Sequence, residues 1–245
     1  MQETTTDRLL NGRVMLRQPR RGYRAAIDPV FLAAAVPARP GQSVLDLGCG
    51  AGAAMFCLAA RVPSLTITGV EVQEDYSALA GEGAVLNAAL GKFEIIMADA
   101  VSLPRGLSVN TYHHAMMNPP YFDTAGYDKS PLGHKSQAQA MAKGQLAAWV
   151  KSVHGKLRDK GSLTVIYPAE GLTELLQAMD GRFGGLQVFP LWPKAGVPAK
   201  RVVIQGKKSA KMAMKLMSGM ILHEDGHYTA ATEAVLRDGA ALHFS

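Results

Sequence analysis

The chain has 245 residues, of which 48% are hydrophobic and 19% charged, and it carries 26 Lys plus Arg against 20 Asp plus Glu. This length allows one large domain or two small ones, and a core of that size needs no disulfide or metal support. The balanced apolar fraction excludes a disordered chain, and two cysteines without a CxxC or Cys/His cluster argue against a disulfide scaffold or a structural zinc site. No apolar run approaches the roughly 18 residues that span a bilayer. With a polar N-terminus that does not resemble a signal peptide, we expect a soluble cytoplasmic protein that does not bind membranes.

The net charge of +6 is unevenly distributed along the chain. Residues 1–40 carry 7 basic and 3 acidic groups, and residues 193–215 carry 7 basic groups and no acidic group. The centre, residues 41–192, holds 11 basic and 13 acidic groups, and residues 216–245 hold 1 basic and 4 acidic groups. Such segregation suits a polyanionic partner, although a solvated surface would explain it equally well.

The first forty residues predict a β-hairpin followed by a helix. Asn11-Gly12 lies between apolar residues, and this dipeptide favours the positive φ angles of a tight hairpin turn. After a loop with four arginines, Asp28-Pro29 begins an apolar segment. An aspartate at the N-cap with proline in the first turn is typical of the start of a helix.

From residue 41 onward, short apolar strands alternate with helical segments. Strands are predicted at Ser43–Leu47, Thr66–Val72, Glu94–Ala98, His113–Met117, Ser162–Tyr167, Leu186–Phe189 and Arg201–Gln205. Helices are predicted near 52–62, 74–90, 138–157 and 171–179, followed by an alternating, strand-like stretch at Lys211–Leu216 and a closing helix at Thr229–Arg237. This order predicts an α/β fold, a doubly wound and mostly parallel seven-stranded sheet with an N-terminal hairpin and helix. We expect a single domain over 1–245, with its core at 41–210 and additions at 1–40 and 211–245.

A glycine-rich motif, Asp46-Leu47-Gly48-Cys49-Gly50-Ala51-Gly52, follows the first strand of the predicted sheet and opens a helix. Glycines allow the backbone to turn tightly and to approach a ligand closely. Alone, the pattern fits either a dinucleotide-binding turn or a plain strand–helix turn. The aspartate at its start repels a pyrophosphate and attracts an amino group, which favours a ligand with a cationic amino-acid head.

Two further carboxylates lie at the ends of the next two predicted strands. Glu71 lies 23 residues after Gly48, and an acid about 20 residues beyond such a turn accepts hydrogen bonds from ribose hydroxyls. A solvated carboxylate is the alternative interpretation. Asp99 ends the third strand and could accept a hydrogen bond from an adenine amino group. Open α/β sheets bind ligands at the edge where these strands end.

The sequence Asn118-Pro119-Pro120-Tyr121 follows the fourth predicted strand. Two successive prolines fix φ twice and remove two donors, so the carbonyls of Asn118 and Pro119 stay available. With the asparagine amide oxygen and the tyrosine ring, they form a slot for a planar group that carries an NH₂. A rigid turn is the alternative, which the three acidic strand ends disfavour. For the two histidines that begin this strand, a structural role is favoured over proton transfer.

This combination resembles the class I S-adenosylmethionine-dependent methyltransferases, which have a Rossmann-like fold, and within them those that methylate nitrogen through an (Asn/Asp)-Pro-Pro-Tyr motif. A closer likeness extends over nearly the whole chain. Gln18-Pro19, Gly22-Tyr23-Arg24 and Asp28 before an Ala-rich helix, and Ile221-Leu222-His223-Glu224 with Tyr228-Thr229 in the tail, are similar to the bacterial tRNA(adenine-N6)-methyltransferase family.

The resemblance implies S-adenosyl-L-methionine as the cofactor and a tRNA adenine as the methyl acceptor, without a metal. The cofactor would be bound by Asp46 at its amino group, Gly48, Gly50 and Gly52 at its methionine part, Glu71 at its ribose and Asp99 at its adenine. The catalytic group would be Asn118, Pro119, Pro120 and Tyr121, with Asn118 and the Pro119 carbonyl on the target amine and Tyr121 stacked on its ring. RNA phosphates would be contacted by Arg20, Arg21, Arg24, Lys194, Lys200, Arg201, Lys207 and Lys208.

Three other functions compete with this interpretation. A protein glutamine N5-methyltransferase acting on a release factor would use the same Asn-Pro-Pro-Tyr motif, but such enzymes carry a sizeable helical N-terminal domain. A nicotinamide-dependent oxidoreductase gives no reason for the acid before the glycines. A non-catalytic RNA-binding protein would have no need to keep Asp46, Glu71 and Asn118.

Overall fold

The computed structural model describes residues 3–21, 24–104, 106–107, 109–120 and 144–244. The strands are β1 (Thr4–Leu9), β2 (Val14–Pro19), β3 (Ser43–Leu47), β4 (Thr66–Glu71), β5 (Lys92–Met97), β6 (Tyr112–Met117), β7 (Leu157–Pro168), β8 (Phe183–Trp192), β9 (Arg201–Lys208), β10 (Lys215–Leu216), β11 (Met220–Ile221), β12 (His223–Glu224) and β13 (His227–Tyr228). The helices are α1 (Asp28–Ala35), α2 (Ala53–Arg61), α3 (Glu74–Leu86), α4 (Gln145–Lys156), α5 (Leu172–Met179) and α6 (Ala230–Asp238), with a 3₁₀ turn at Ala169–Gly171.

The central sheet has the strand order β10-β8-β9-β7-β6-β3-β4-β5, with β11 also paired to β8. Strands β5, β4, β3, β6 and β7 are parallel neighbours, whereas β9 runs antiparallel to both β7 and β8. The predicted doubly wound, mostly parallel sheet is therefore confirmed, and all seven predicted strands are present as β3 to β9. Two short strands extend its β8 edge.

Helices cover both faces of the sheet. One hydrophobic cluster joins α1, α2, α3 and α6 to the hairpin and to one face of the strands. A second cluster joins α4 and α5 to the opposite face. This arrangement explains why the central strands read as near-continuous apolar runs, since parallel strands covered on both faces bury every side chain. Within the described part of the chain, no helix is long and apolar enough to cross a membrane.

The N-terminal hairpin forms as the Asn-Gly signal predicts, although its connection has four residues rather than two. Leu10, Asn11 and Gly12 all have positive φ, at 50°, 54° and 87°. The hairpin then docks on α3 through the side chain of Asn87, whose Nδ2 donates to Met15 O at 2.7 Å and whose Oδ1 accepts from Met15 N at 3.0 Å. Helix α3 ends at Leu86, whereas the sequence predicts an end near residue 90.

Helix α1 begins where predicted, but Asp28 does not cap it. Ile27 occupies the N-cap position, and Asp28 is the first helical residue, with no side-chain capping bond at this end of the helix. Its Oδ2 accepts instead from Arg201 Nε at 2.9 Å, which ties α1 to the start of β9. Near the other end of the helix, Gln205 Nε2 donates to Ala35 O at 3.0 Å.

The C-terminal addition differs from its prediction in one place. The alternating stretch Lys211–Leu216 is a strand only at Lys215–Leu216, which pair in parallel with Gln187 and Val188 of β8. Before them, Met212 O accepts a single backbone bond from Gly185 N at 2.8 Å. The closing helix is confirmed, and Thr229 caps it by accepting from Thr232 N at 3.2 Å. The predicted helix near 138–157 is present as α4, and the part of that prediction before residue 144 lies outside the described residues.

Candidate active site

The strand ends that carry the predicted site lie side by side. Leu47 at the end of β3 is paired with Val70 in β4 on one side and with Met117 in β6 on the other. Gly48 and Asn118 are the next residues of their strands. Because paired strands lie about 4.8 Å apart, the glycine-rich turn and the Asn-Pro-Pro segment leave the sheet next to each other.

The glycine-rich turn needs glycine for its backbone conformation. Gly48, Gly50 and Gly52 have φ angles of 71°, 55° and 91°, in the left-handed region that side chains other than glycine rarely adopt. The turn is anchored on β4, where Val70 O accepts from Gly48 N at 2.8 Å and from Cys49 N at 2.9 Å. A Cβ on Gly50 would meet no atom within 4 Å, so this residue borders open space where a ligand could approach.

Glu71 fastens the end of β4 to that turn. Its Oε2 accepts from Gly50 N at 2.9 Å, and its Oε1 accepts from Val72 N at 3.0 Å and from Gln73 N at 2.9 Å. The side chain is buried, with an exposed fraction of 6%. A carboxylate offers about four lone-pair positions, so these three bonds leave one for a ribose hydroxyl.

Asp46 has the most unusual environment among these acids. It is 2% exposed, and its Oδ2 is buried without a hydrogen-bond partner among the described residues. Burial, reinforced by the charge of Glu71 and only partly opposed by a backbone hydrogen bond from Met55, raises the pKa of Asp46 to about 7. An unpaired buried carboxylate is costly. A cationic amino group would satisfy it, so the residues present fit a cofactor with an amino-acid head.

The other predicted site residues are Asp99 and the Asn-Pro-Pro-Tyr segment, which the structure describes as far as Pro120. Asp99 is exposed, two residues beyond the end of β5, and its Oδ1 accepts from Val101 N at 2.9 Å. Pro119 is buried, whereas Asn118 and Pro120 are half-buried. Tyr121 lies outside the described residues, so its predicted stacking role stays a prediction.

The two histidines of β6 lie toward its amino end, away from Asn118. His113 Nδ1 accepts from Ser43 N at 3.2 Å, and His114 bonds through its two ring nitrogens to Ser162 Oγ and Gln42 Oε1, each at 2.8 Å. Burial lowers the pKa of His114 to about 4, helped by the nearby positive groups. His114 is therefore neutral near pH 7, and both histidines have structural partners.

Trp149 lies against the site, although it belongs to none of the sequence motifs. This residue of α4 places its indole so close to the glycine-rich turn that a Cβ on Gly48 would lie 2.7 Å from Cη2. The available signal was its type and place, since it is one of two tryptophans and lies on the predicted helix that follows the Asn-Pro-Pro-Tyr segment. It forms a wall beside the turn.

Replacing Gly48 with alanine is expected to damage the site more than the same change at Gly41. Both positions have positive φ, 71° and 80°, so each variant should lose about 1 kcal/mol of folding stability. Only the Gly48 variant must also displace Trp149, since a Cβ at Gly41 meets nothing within 4 Å. Calorimetry should therefore show cofactor binding at least about tenfold weaker for Gly48→Ala and unchanged for Gly41→Ala. Equal affinities would contradict a close approach of ligand or indole at Gly48.

The basic segment 193–215 is divided between two edges of the sheet. β9 runs antiparallel, so Arg201 at its start is paired with Leu191 and Pro168, at the edge where the other strands end. Lys194 and Lys200 are exposed near that edge. Lys207 and Lys208 lie at the other end of the strand, about 20 Å away at 3.3 Å per residue.

Several of the predicted phosphate contacts already have partners within the protein. Lys208 Nζ donates to Asn110 Oδ1, His154 O and Leu157 O at 2.7–2.8 Å. Arg201 pairs with Asp28. In the hairpin region Arg20 pairs with Glu3 at 3.0 Å, Arg24 pairs with Asp7, and Arg21 is exposed. The structure thus brings the cofactor-site predictions together but does not gather the predicted basic residues on one surface.

Comparison with known proteins agrees with this geometry. The family model of the methyltransferase small domain matches residues 26–189. A curated relative named tRNA1(Val) (adenine(37)-N6)-methyltransferase, from Glaesserella parasuis, is 25% identical over 210 residues and covers 83% of this chain and 84% of its own. A predicted O-methyltransferase from Agrobacterium tumefaciens matches in structure with a TM-score of 0.71 at 24% identity, over 88% of this chain and 98% of its own. A SAM-dependent O-methyltransferase from Thermotoga maritima matches with a TM-score of 0.56 at 16% identity, over 78% and 68%.

These two structural likenesses establish the fold, and the family match covers most of the chain. Asp46, the three glycines and Glu71 lie at the carboxyl ends of β3 and β4, the edge at which open α/β sheets bind ligands. The chain belongs to the methyltransferase small domain family and is an S-adenosylmethionine-dependent methyltransferase.

Proposed function

We propose that the protein methylates the exocyclic N6 amine of an adenine in tRNA. The observation that carries the proposal is the position of Asn118 and Pro119, which leave β6 directly beside the glycine-rich turn. An acceptor pair at this point is suited to an NH₂ group, because both of its hydrogens can be bound at once. If the methylated group were a hydroxyl, its single hydrogen would leave one of the two oxygens without a hydrogen-bond partner.

When bound, the cofactor supplies an electrophilic methyl group on a sulfonium. Asp46 would hold its amino group, Glu71 its ribose and Asp99 its adenine amine. Asn118 Oδ1 and the Pro119 carbonyl would accept the two N–H groups of the target amine, so that its lone pair turns out of the ring plane. The same oxygens stabilise the positive charge that develops on nitrogen, and correct positioning alone contributes up to about 7–11 kcal/mol.

Three considerations favour tRNA as the carrier of that adenine. The relative from Glaesserella parasuis, which matches this chain over 84% of its own length, is named a tRNA1(Val) (adenine(37)-N6)-methyltransferase. Lys194, Lys200 and Arg201 lie near the same edge of the sheet as the site. A target base must also leave its stack, which costs least in a loop. We place this activity in the cytoplasm, where tRNA is available.

The test is to incubate the protein with methyl-labelled cofactor and bulk tRNA lacking the modification. We expect label in tRNA, recovered after digestion as N6-methyladenine. A second reaction with peptide release factors replaces the tRNA. Label confined to protein would establish the glutamine N5-methyltransferase instead, and cofactor binding without transfer to either substrate would favour a non-catalytic RNA-binding protein.

A further inference from the structure

An open groove lies at the end of β8, away from the residues assigned to the cofactor and the target amine. It has a volume of about 770 Å³ and is lined by Trp192, Lys194, Val197, Pro198, Gly219 and Ile221, among others. None of its lining residues is acidic. Trp192 forms one wall, and its Nε1 donates to Ser218 O at 3.2 Å, which holds the indole in place.

The groove shares an edge with the active site. β8 is antiparallel to β9, which is antiparallel to β7, so β8 runs in the same direction as β3, β4 and β6. Its last residue, Trp192, therefore lies at the carboxyl edge of the sheet, as do Asp46, Glu71 and Asn118. Along that edge the order is β5, β4, β3 and β6, then β7, β9 and β8. The groove is thus on the side of Asn118 away from the cofactor residues.

The distance between the two sites can be derived from the strand order. Three strand-to-strand steps separate β6 from β8, which amounts to about 14 Å at about 4.8 Å a step. Stacked nucleotides are spaced by ~3.4 Å along one strand, so this span corresponds to about four nucleotides. Between the two sites lie Arg201, the first residue of β9, and Lys200 directly before it.

We propose that this groove binds an unpaired nucleotide of the RNA strand that carries the methylated base. The proposal rests on the proposed function and adds a second contact point for the same RNA. Sequence-independent binding of single strands combines a basic path for phosphates with an aromatic platform for bases. Trp192 provides the platform and Lys194 the charge. Val197 and Ile221, each 41% exposed, present apolar surface to a base.

Charge decides between an RNA strand and a protein segment as the occupant. Among the residues that line the groove, Lys194 is basic and none is acidic, and Lys200 and Arg201 lie near the same edge of the sheet. A polyanion is attracted to such a surface, whereas an apolar protein segment gains nothing from its charge. The groove also continues the line of strand ends on which the target base would be held.

The test uses two variants of the groove, each with a matched control at the opposite edge of the sheet. Val197→Glu places a negative charge in the groove, and Val109→Glu places the same charge on a valine that is 61% exposed before β6. Lys194→Ala removes a groove cation, and Lys92→Ala removes an exposed cation at the start of β5, at the opposite edge of the sheet. The probes are a labelled single-stranded oligoribonucleotide of about ten residues and unmodified bulk tRNA.

We expect Val197→Glu to raise both the Kd for the oligonucleotide and the KM for tRNA about tenfold, with kcat and cofactor affinity unchanged. Lys194→Ala should reduce the slope of log K against log salt by about one, and both controls should behave as wild type. In a Trp149→Phe background, Trp192 is the remaining tryptophan, and its fluorescence should be quenched by the oligonucleotide.

The outcomes separate this proposal from the one on which it rests. If wild type binds and methylates tRNA but neither groove variant differs from its control, the groove proposal is overturned and the proposed function stands. If wild type neither binds nor methylates RNA, both are overturned. Should Val197→Glu also lower the melting temperature, the Lys194→Ala salt slope and the Trp192 quenching decide the matter.

Discussion

Replacing Asn118 with alanine should lower methyl transfer by about 10²–10³-fold or more while cofactor affinity stays within about threefold of wild type. The variant loses the side-chain acceptor for the target amine, and removal of one preorganised group that stabilises transition-state charge costs a factor of this size. Asn118 is half-buried at the end of β6 and is not among the residues assigned to the cofactor. Single-turnover rates with labelled cofactor measure the first quantity, and calorimetry measures the second.

Asn110 offers the matched control for that variant. It lies before β6, at the opposite edge of the sheet, and has a φ of 54°, so glycine is the replacement that preserves its backbone. Asn110→Gly removes one of three oxygen acceptors of Lys208 and should leave methyl transfer unchanged. If Asn118→Ala transfers methyl groups as fast as wild type, the proposed role of Asn118 is refuted. If the variant loses cofactor affinity in parallel with transfer, Asn118 binds the cofactor and not the target amine.

Replacing Asp46 with asparagine is expected to weaken cofactor binding by about 10²-fold, because removing one partner of a buried charged pair costs about 2–5 kcal/mol. The same change should raise the melting temperature of the cofactor-free protein at pH 8. Asparagine nearly matches aspartate in shape, but it has no charge to bury at a position that is 2% exposed. Scanning calorimetry and isothermal titration measure the two effects on the same samples.

The pH dependence follows from the raised pKa. The carboxyl group of Asp46 has a pKa of about 7 in the folded protein against 3.8 ordinarily, so the folded state binds a proton more tightly than the unfolded chain does. Relative to Asp46→Asn, the cofactor-free stability of wild type should therefore fall as pH rises from about 4 to about 7, by on the order of 4 kcal/mol in total. The lowered pKa of His114 changes stability in the opposite direction over this range, but it does so in both proteins, so the difference between them isolates Asp46. Cofactor affinity should change in the opposite sense and weaken as pH falls through 7, because protonation removes the charge that binds the amino group.

Asp46→Asn is the comparison for both measurements, because it nearly matches wild type in shape but has no titratable group at residue 46. A stability difference between wild type and Asp46→Asn that stays constant between pH 5 and 7 would refute the buried Asp46 Oδ2 without a hydrogen-bond partner. Equal cofactor affinity of wild type and Asp46→Asn would refute its role at the amino group.

The sequence was sufficient for the order of elements and for most of the candidate site. Apolar runs predicted the strands of the sheet, most clearly β3, β4 and β6, because parallel strands covered on both faces must be apolar along most of their length. Asp46, Glu71 and Asn118 were found because each lies at the end of a predicted strand or directly after it, and the ends of parallel strands meet at one edge. The local chemistry of Asn11-Gly12 likewise predicted the hairpin.

The tertiary structure decided what depends on contacts between distant residues. Only packing shows that Asp46 Oδ2 has no partner among the described residues and that Glu71 is bonded to Gly50. The same holds for Trp149, which reaches Gly48 from a helix a hundred residues further along the chain. No pattern of local spacing contains these distances, because they arise when two crossover connections fold onto the same sheet.

The basic segment shows the difference most directly. By itself, the sequence determined that 7 positive charges lie within residues 193–215, since charge is a property of composition. The sequence could not determine at which edge of the sheet each of these charges lies. β9 runs antiparallel through this segment, so Arg201 lies at the edge of the site while Lys208 lies at the other edge, bonded to three oxygens of its own protein. A strand carries its two ends to opposite sides of the fold, and only the pairing of β9 with β7 and β8 decides which end meets the substrate.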